Sequence, residues 1–342
     1  MFRWGLRSAW AGLLIAVGGL IMPGQARAEL PPADAAHILT IRTENDWIAH
    51  TDRNYTAGIR LGWTSPSVDA KGGDYLPNLL TDFSRAVWGE GRQRLSVDFS
   101  NAIFTPKDTA AFIPDPRDRP YAGVLLASAS LLHDTTTSRS VIGLSVGVLG
   151  PSARSSDIQN GWHELIGEDI SNGWPYQIKD MPIVEVLVGR TWRYGLTSNP
   201  GTGIDIDVLP SVTATVGTLR DFAQAGFQLR IGQGLDSDFG VARIRPGLSG
   251  LDAYTPTRDV VWYAFIGGNG RAVAWDTTLD GNPFRSGPHV SREVFIGEVE
   301  AGLAVIYRGV RLSYTHVAQT RSFHGQQNAW FQFGSIAASV RF

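Results

Sequence analysis

Residues 139–149 read Arg139-Ser140-Val141-Ile142-Gly143-Leu144-Ser145-Val146-Gly147-Val148-Leu149. From Ile142 onward the apolar residues Ile142, Leu144, Val146 and Val148 alternate with Gly143, Ser145 and Gly147. Side chains on a strand point alternately to opposite faces, so this segment has one apolar face and one face of glycine and serine. The same period recurs outward in both directions. Leu95, Val97 and Phe99 alternate with Ser96, Asp98 and Ser100, and Ile204, Ile206 and Val208 with Asp205 and Asp207. Phe227, Leu229 and Ile231 flank Gln228 and Arg230, and Val310, Leu312 and Tyr314 flank Arg311 and Ser313.

Such dyads fit a soluble sandwich or barrel with a dry core, or an outer-membrane barrel with lipid on the apolar face. Three features favour the membrane barrel. The segments are about 9–14 residues long, enough to cross a bilayer at a tilt. Of 35 aromatic residues 11 are Trp, and Trp47, Tyr55, Trp63, Tyr121, Trp192, Tyr194 and Trp330 fall near segment ends, where an interfacial girdle belongs. The chain finishes Ser335-Ile336-Ala337-Ala338-Ser339-Val340-Arg341-Phe342, an alternating strand ending on an aromatic. That ending resembles the terminal signal of outer-membrane barrels, which implies the barrel assembly machinery as a partner during biogenesis.

Twelve candidate strands follow, at about 37–47, 55–65, 92–101, 121–133, 139–149, 182–194, 203–216, 222–232, 258–272, 292–306, 309–320 and 329–342. An even number suits a closed bacterial barrel. The predicted fold is therefore all-β, a twelve-stranded antiparallel transmembrane barrel. Within 258–272 the register is ambiguous, because Val260, Val261, Trp262, Tyr263 and Phe265 do not alternate cleanly. With both termini periplasmic, the extracellular connections are 48–54, 102–120, 150–181, 217–221, 273–291 and 321–328.

Composition narrows the function. The 342 residues include no cysteine, which removes disulfides, thiol nucleophiles and cysteine-held metals. A formal charge of −2 without any Lys/Arg run argues against nucleic acid as a partner. Only Lys71, Lys107 and Lys179 of the 30 basic residues are lysines, an arginine bias that fits either planar oxyanion partners or codon usage. Arg3 and Arg7 precede an apolar run, Ala9 to Ile21, and Ala26-Arg27-Ala28 has the form of a signal-peptidase site. Residues 1–28 are thus expected to be a signal peptide and 29–342 a single barrel domain. Losing three arginines and no acid would move the formal charge from −2 to −5.

Polar residues converge at the expected outer rim. Asn45 and Asp46 end the first strand and Thr56 opens the second, so a hairpin brings them within about one side-chain length. Asp52-Arg53-Asn54-Tyr55 and Asp118-Arg119-Pro120-Tyr121 repeat one pattern at two strand openings, consistent with an Asp–Arg pair fixing each loop and tyrosine at the lipid interface. In Ser155 to Glu168, Ile158, Trp162, Leu165 and Ile166 have helical spacing, which predicts a short amphipathic helix lying against the barrel mouth. His163 sits in that loop with Gln159, Glu168 and Asp169. Imidazole suits general-base work near neutral pH, and oxygen donors suit calcium, which polarises an ester carbonyl.

At these residues the chain resembles the LpxR-type lipid A 3′-O-deacylases of the Gram-negative outer membrane. The matching pieces are Glu44-Asn45-Asp46, Thr51-Asp52-Arg53 with Tyr55-Thr56-Ala57-Gly58, and Asp118-Arg119-Pro120-Tyr121-Ala122-Gly123. Gly150-Pro151, Gln159-Asn160-Gly161-Trp162-His163 with Ile166-Gly167, Trp174 and Gln177 complete them. The resemblance implies calcium-dependent removal of the 3′-linked acyloxyacyl chain from lipid A of lipopolysaccharide, among the lipids of the outer membrane. By motif, His163 is the base, Asn45, Asp46 and Thr56 hold or border the metal, and Arg53, Lys107 and Gln159 meet the substrate. The family's acidic position falls on Asp169, where Glu is expected, with Glu168 adjacent as a possible metal ligand. A small porin and a family barrel that has lost catalysis are the competing classes.

Overall fold

The structure, a computed structural model, describes residues 30–46, 54–68, 75–242 and 252–342. Among them are thirteen strands: β1 (Ile38–Asn45), β2 (Asn54–Thr64), β3 (Arg92–Thr105), β4 (Ala122–Asp134), β5 (Ser138–Leu149), β6 (Met181–Trp192), β7 (Tyr194–Asn199), β8 (Ile204–Gly217), β9 (Arg220–Gln233), β10 (Val260–Asp276), β11 (Phe295–Tyr307), β12 (Val310–Thr320) and β13 (Trp330–Arg341). Each pairs antiparallel with its neighbour, β1 pairs with β13, and β6 pairs with β8. Twelve strands thus close a barrel, as the sequence predicts. β7 is the thirteenth piece: it prolongs β6 beyond Arg193 and pairs only with the first residues of β8, as a hairpin extending past the barrel. Closure satisfies the backbone of the twelve barrel strands within the sheet, which lipid cannot do. The proposed signal peptide lies outside the described residues.

Alternation sorts the side chains. On β1, Leu39 and Ile41 are exposed and Thr40, Arg42 and Glu44 are buried; on β2, Ile59 and Leu61 are exposed and Arg60 is buried. Apolar residues therefore face outward and polar ones line the lumen. The lumen accounts for much of the arginine bias. Arg60 pairs with Asp98 at 3.2 Å, Arg139 with Asp134 at 2.7 Å and Arg271 with Glu298, all buried. The planar guanidinium can meet a carboxylate through two parallel bonds, as Arg139 does with Asp134, where lysine offers a point charge.

The end of the barrel where β1 begins and β13 finishes is filled. His37 and Phe342 exchange backbone hydrogen bonds there. The connection between β9 and β10 folds into the lumen, with Asp238, Asp252, Ala253 and Tyr254 buried. Asp238 meets Arg230 at 2.6 Å and Arg311 at 3.0 Å, and Asp252 pairs with Arg42 and, at 3.5 Å, with Arg60. Around this plug Val261, Tyr263 and Phe265 of β10 join Ile38, Leu132, Leu235 and Ile306 in an apolar cluster. That cluster explains the ambiguous register of 258–272: β10 is one continuous strand, apolar outward to lipid and apolar inward to the plug.

The aromatic girdle needs correction at two positions. Tyr194 and Trp330 are exposed, as expected. Tyr55 and Tyr121 are fully buried instead: Tyr55 donates to Glu44 at 2.9 Å, and Tyr121 packs on Trp174. Trp47 lies outside the described residues.

Candidate active site

The loop between β5 and β6 contains a helix, here α2 (Ser155–Ile166); another, α1 (Asn78–Trp88), joins β2 to β3 at the end where β1 begins and β13 finishes. The helix expected from sequence is present, but its orientation is reversed. Ile158, Trp162, Leu165 and Ile166 are exposed, and Ser155 and Gln159 are the buried residues. The wall beneath explains it. Gly123 and Asn101 continue the outward-facing sets of β4 and β3 that include Leu125 and Phe99, so α2 lies on the outside of the barrel. Asn101 donates its amide to Ser155 Oγ at 3.0 Å and to the Ala153 carbonyl at 3.1 Å. A Cβ on Gly123 would stand 2.5 Å from Ser155 Oγ, so glycine permits the close approach. The surface available to the apolar face of α2 is then lipid, not protein.

His163 occupies the last turn of α2. Gly167, at φ +77°, reverses the chain; its N–H and that of Glu168 both donate to the His163 carbonyl. The reversal places the Asp169 carbonyl 2.6 Å from His163 Nδ1. A carbonyl only accepts, so Nδ1 carries the proton, and Nε2 of the neutral ring is left as an acceptor. Glu168 and Asp169 are exposed, and what reaches the ring is Asp169's backbone oxygen rather than its carboxylate.

One outward row of the wall links this helix to the acidic hairpin. Asn45 lies opposite Ala57, Ala57 opposite Ile103 and Ile103 opposite Gly123, under Ser155. A bulge between Tyr55 and Ala57 makes Thr56 the extra residue, and its hydroxyl meets that of Thr105 at 2.6 Å. The Asp46 N–H donates to the Thr56 carbonyl at 3.2 Å, and Asp46 is buried. Ile103, Tyr121 and Trp174 form an apolar cluster with Ala57 against it, and Trp174 Nε1 donates to Gln159 Oε1 at 2.9 Å. Gln159 lies one turn before His163 on the same face; its buried Nε2 has no acceptor among the described residues. Asn160 clamps the returning chain by two bonds to the Ser171 backbone.

Lys107 is placed apart from this row. It donates to Gln327 Oε1 at 2.6 Å beside a rim cavity of about 340 Å³ lined by Asn54, Arg117, Asp118 and Gln326. Asp118 does not pair with the Arg119 guanidinium, correcting the expected Asp–Arg pair. Its carboxylate accepts the backbone N–H groups of Lys107 and Arg119, both at 2.8 Å. Arg119 is buried, its guanidinium over the Phe104 ring and within 3.3 Å of Thr278 Oγ1. Arg53 lies outside the described residues.

The model of the outer membrane protein LpxR family matches residues 13–342. The chain belongs to that family. Among solved structures it is similar to LpxR from Salmonella typhimurium, with a TM-score of 0.71 at 19% identity over 89% of this chain and 100% of that one. The β domain of the Bordetella autotransporter BrkA matches with a TM-score of 0.43 at 12% identity, over 90% of this chain and 99% of that one. No curated protein matches the sequence. As an LpxR-family barrel the chain is a protein of the Gram-negative outer membrane. Within this member, sequence reasoning missed Asn101, Thr105 and Ser155. The signal for Asn101 and Thr105 is that polar residues stand at outward positions of a membrane wall, visible once strand parity is known; Ser155, on α2, has no such signal.

Proposed function

We propose that this LpxR-family barrel is a calcium-dependent hydrolase that removes the 3′-linked acyloxyacyl chain from lipid A in the outer leaflet. The observation that carries the proposal is the imidazole of His163, fixed by a backbone carbonyl with Nε2 free to accept, on a helix outside the wall. A lipid ester reaches such a base without leaving the membrane. The His163 Nε2 takes a proton from water as the water oxygen attacks the ester carbonyl, and the proton then passes to the departing sugar oxygen. The acyl chain leaves as a carboxylic acid and the sugar keeps its hydroxyl. Gln159 Nε2, a buried donor without an acceptor among the described residues, is suited to the developing oxyanion.

The donor set fits a hard cation. Asp46 is a buried carboxylate whose backbone N–H bonds the Thr56 carbonyl, Asn45 precedes it on β1, and no thiol exists in the chain. Asn45, Asp46 and Thr56 would hold Ca²⁺, with Glu168 as a further oxygen ligand; the bound ion supplies Lewis-acid polarisation of the ester carbonyl. Among the described residues no group of three or more His, Asp or Glu gathers, so amide, hydroxyl and carbonyl oxygens would supply the remaining ligands. Arg53 and Lys107 are assigned to the phosphates of lipid A, and the terminal strand to recognition by the assembly machinery. The filled lumen argues against the porin alternative. Mass spectrometry of lipid A from cells with and without this protein tests the reading. Loss of the 3′-linked chain mass only when the protein is present is expected; identical lipid A profiles would overturn it.

A further inference from the structure

Helix α1 repeats, at the opposite end of the barrel, the arrangement of α2. Its buried residues are the small polar Thr81 and Ser84, while Leu79, Leu80 and Phe83 are exposed, Leu79 at 78%. Asn78, Asp82 and Arg85 form the polar sector, with Arg85 3.6 Å from Asp82. A helix that hides serine and threonine and exposes leucine and phenylalanine is inverted for a water-facing surface.

What α1 rests on is the outside of the wall. Leu131 and His133 continue the outward set of β4 that includes Leu125 and Ala129, yet both are almost fully buried. Trp88 packs on the His133 ring, and a Cβ on Gly91 would stand 2.2 Å from His133 Nε2, so the exit of the helix is pinned there. Upstream, Tyr75 packs edge-on against Trp63, the outward residue after Ile59 and Leu61 on β2. The segment from Tyr75 to Trp88 therefore runs along the outer wall past β3 to β4. Its apolar face is continuous with the lipid-facing band of Leu39, Ile41, Leu61 and Phe99.

We propose that α1 is an interfacial helix that inserts Leu79, Leu80 and Phe83 into the inner leaflet of the outer membrane while Asn78, Asp82 and Arg85 face periplasmic water. The occupant is phospholipid, because the face adjoins a surface that the barrel already presents to lipid and its polar sector is confined to one side. The barrel thus carries a helix on each leaflet, α2 on the outer one and α1 on the inner.

The absence of native cysteine makes the test direct. Leu79→Cys, Leu80→Cys, Phe83→Cys and Asp82→Cys, each labelled with an environment-sensitive fluorophore, are reconstituted in phosphatidylethanolamine–phosphatidylglycerol vesicles. Each must keep the heat-dependent gel shift of the folded barrel, and Leu80→Cys replaces either neighbour that does not. Labels at 79, 80 and 83 are expected to be quenched at least about twofold more by lipids spin-labelled near the head group than by aqueous iodide, and the label at 82 the reverse. Equal iodide quenching at all four positions would overturn the proposal. So would protection at 79 and 83 that appears only when envelope proteins are added, since the occupant would then be protein.

Discussion

At the residue scale, the proposed chemistry turns on which ring nitrogen of His163 carries a proton. His163→Asn keeps a donor near the Nδ1 position for the Asp169 carbonyl but has no base, so it separates the two roles of the ring. Lipid A deacylation in membranes with matched protein level is expected to fall about 10²–10⁴-fold. A loss within threefold would move the base elsewhere. Gln159→Glu keeps an oxygen for Trp174 Nε1 and removes the unpaired donor; the kcat is expected to drop about 10²–10³-fold with KM little changed. Excess chelator should abolish turnover and added Ca²⁺ restore it better than Mg²⁺, which demands tighter octahedral geometry. Full activity in chelator would reject the metal assignment. The candidates Asn45, Asp46, Thr56, Gln159 and His163 can be named from the sequence because motifs display side chains. The Asp169 carbonyl cannot, because a backbone acceptor has no residue type to read.

At the element scale, both helices show how solvent identity decides orientation. Helical spacing in residues 155–168 predicted α2, and the usual rule would turn Ile158 and Trp162 to protein; with lipid outside, Ser155 and Gln159 face the wall instead. Strand positions were legible to within a few residues because each strand separates lumen from lipid with period two. The 258–272 register was not, because the plug makes the inward face of β10 apolar as well. β7 went unseen because it prolongs β6 after a single intervening residue, Arg193. The contact of α2 with the wall depends on Gly123. Gly123→Val would drive a side chain into Ser155, and is expected to lift the helix and cost at least about tenfold in deacylation. The heat-dependent gel shift and strand-dominated far-UV spectrum should remain. Wild-type activity in a folded Gly123→Val barrel would show that α2 need not be seated for catalysis.

At the scale of the whole molecule, the lumen is shut by charge as much as by apolar packing. Asp34, before β1, meets Arg94 at 2.8 Å and also pairs with Arg341; Asp238 and Asp252 tie the plug to Arg230, Arg311, Arg42 and Arg60. Burial alone would raise all three carboxyls, but the facing guanidinium groups hold each below the usual carboxylate range. A carboxyl depressed on folding contributes stability that is complete above the unfolded value of about 3.9 and is lost as pH falls through the lower folded value. The plug is therefore expected to hold from neutral pH down to about 4 and to loosen below it. In planar bilayers the wild type should be silent at pH 7 and show conductance steps only in strong acid, with the melting temperature falling over the same interval. Asp252→Asn leaves Arg42 and Arg60 buried without that acid, though Arg60 keeps Asp98. Breaking a buried pair costs about 3–5 kcal/mol, so this variant should melt lower and flicker open at pH 7. Its deacylation should stay near wild type, since His163 and Gln159 sit on α2 outside the wall while Asp252 pairs with arginines of the lumen. Steady wild-type conductance at pH 7, or a melting temperature unchanged down to pH 2, would show that the ion pairs do not close the barrel.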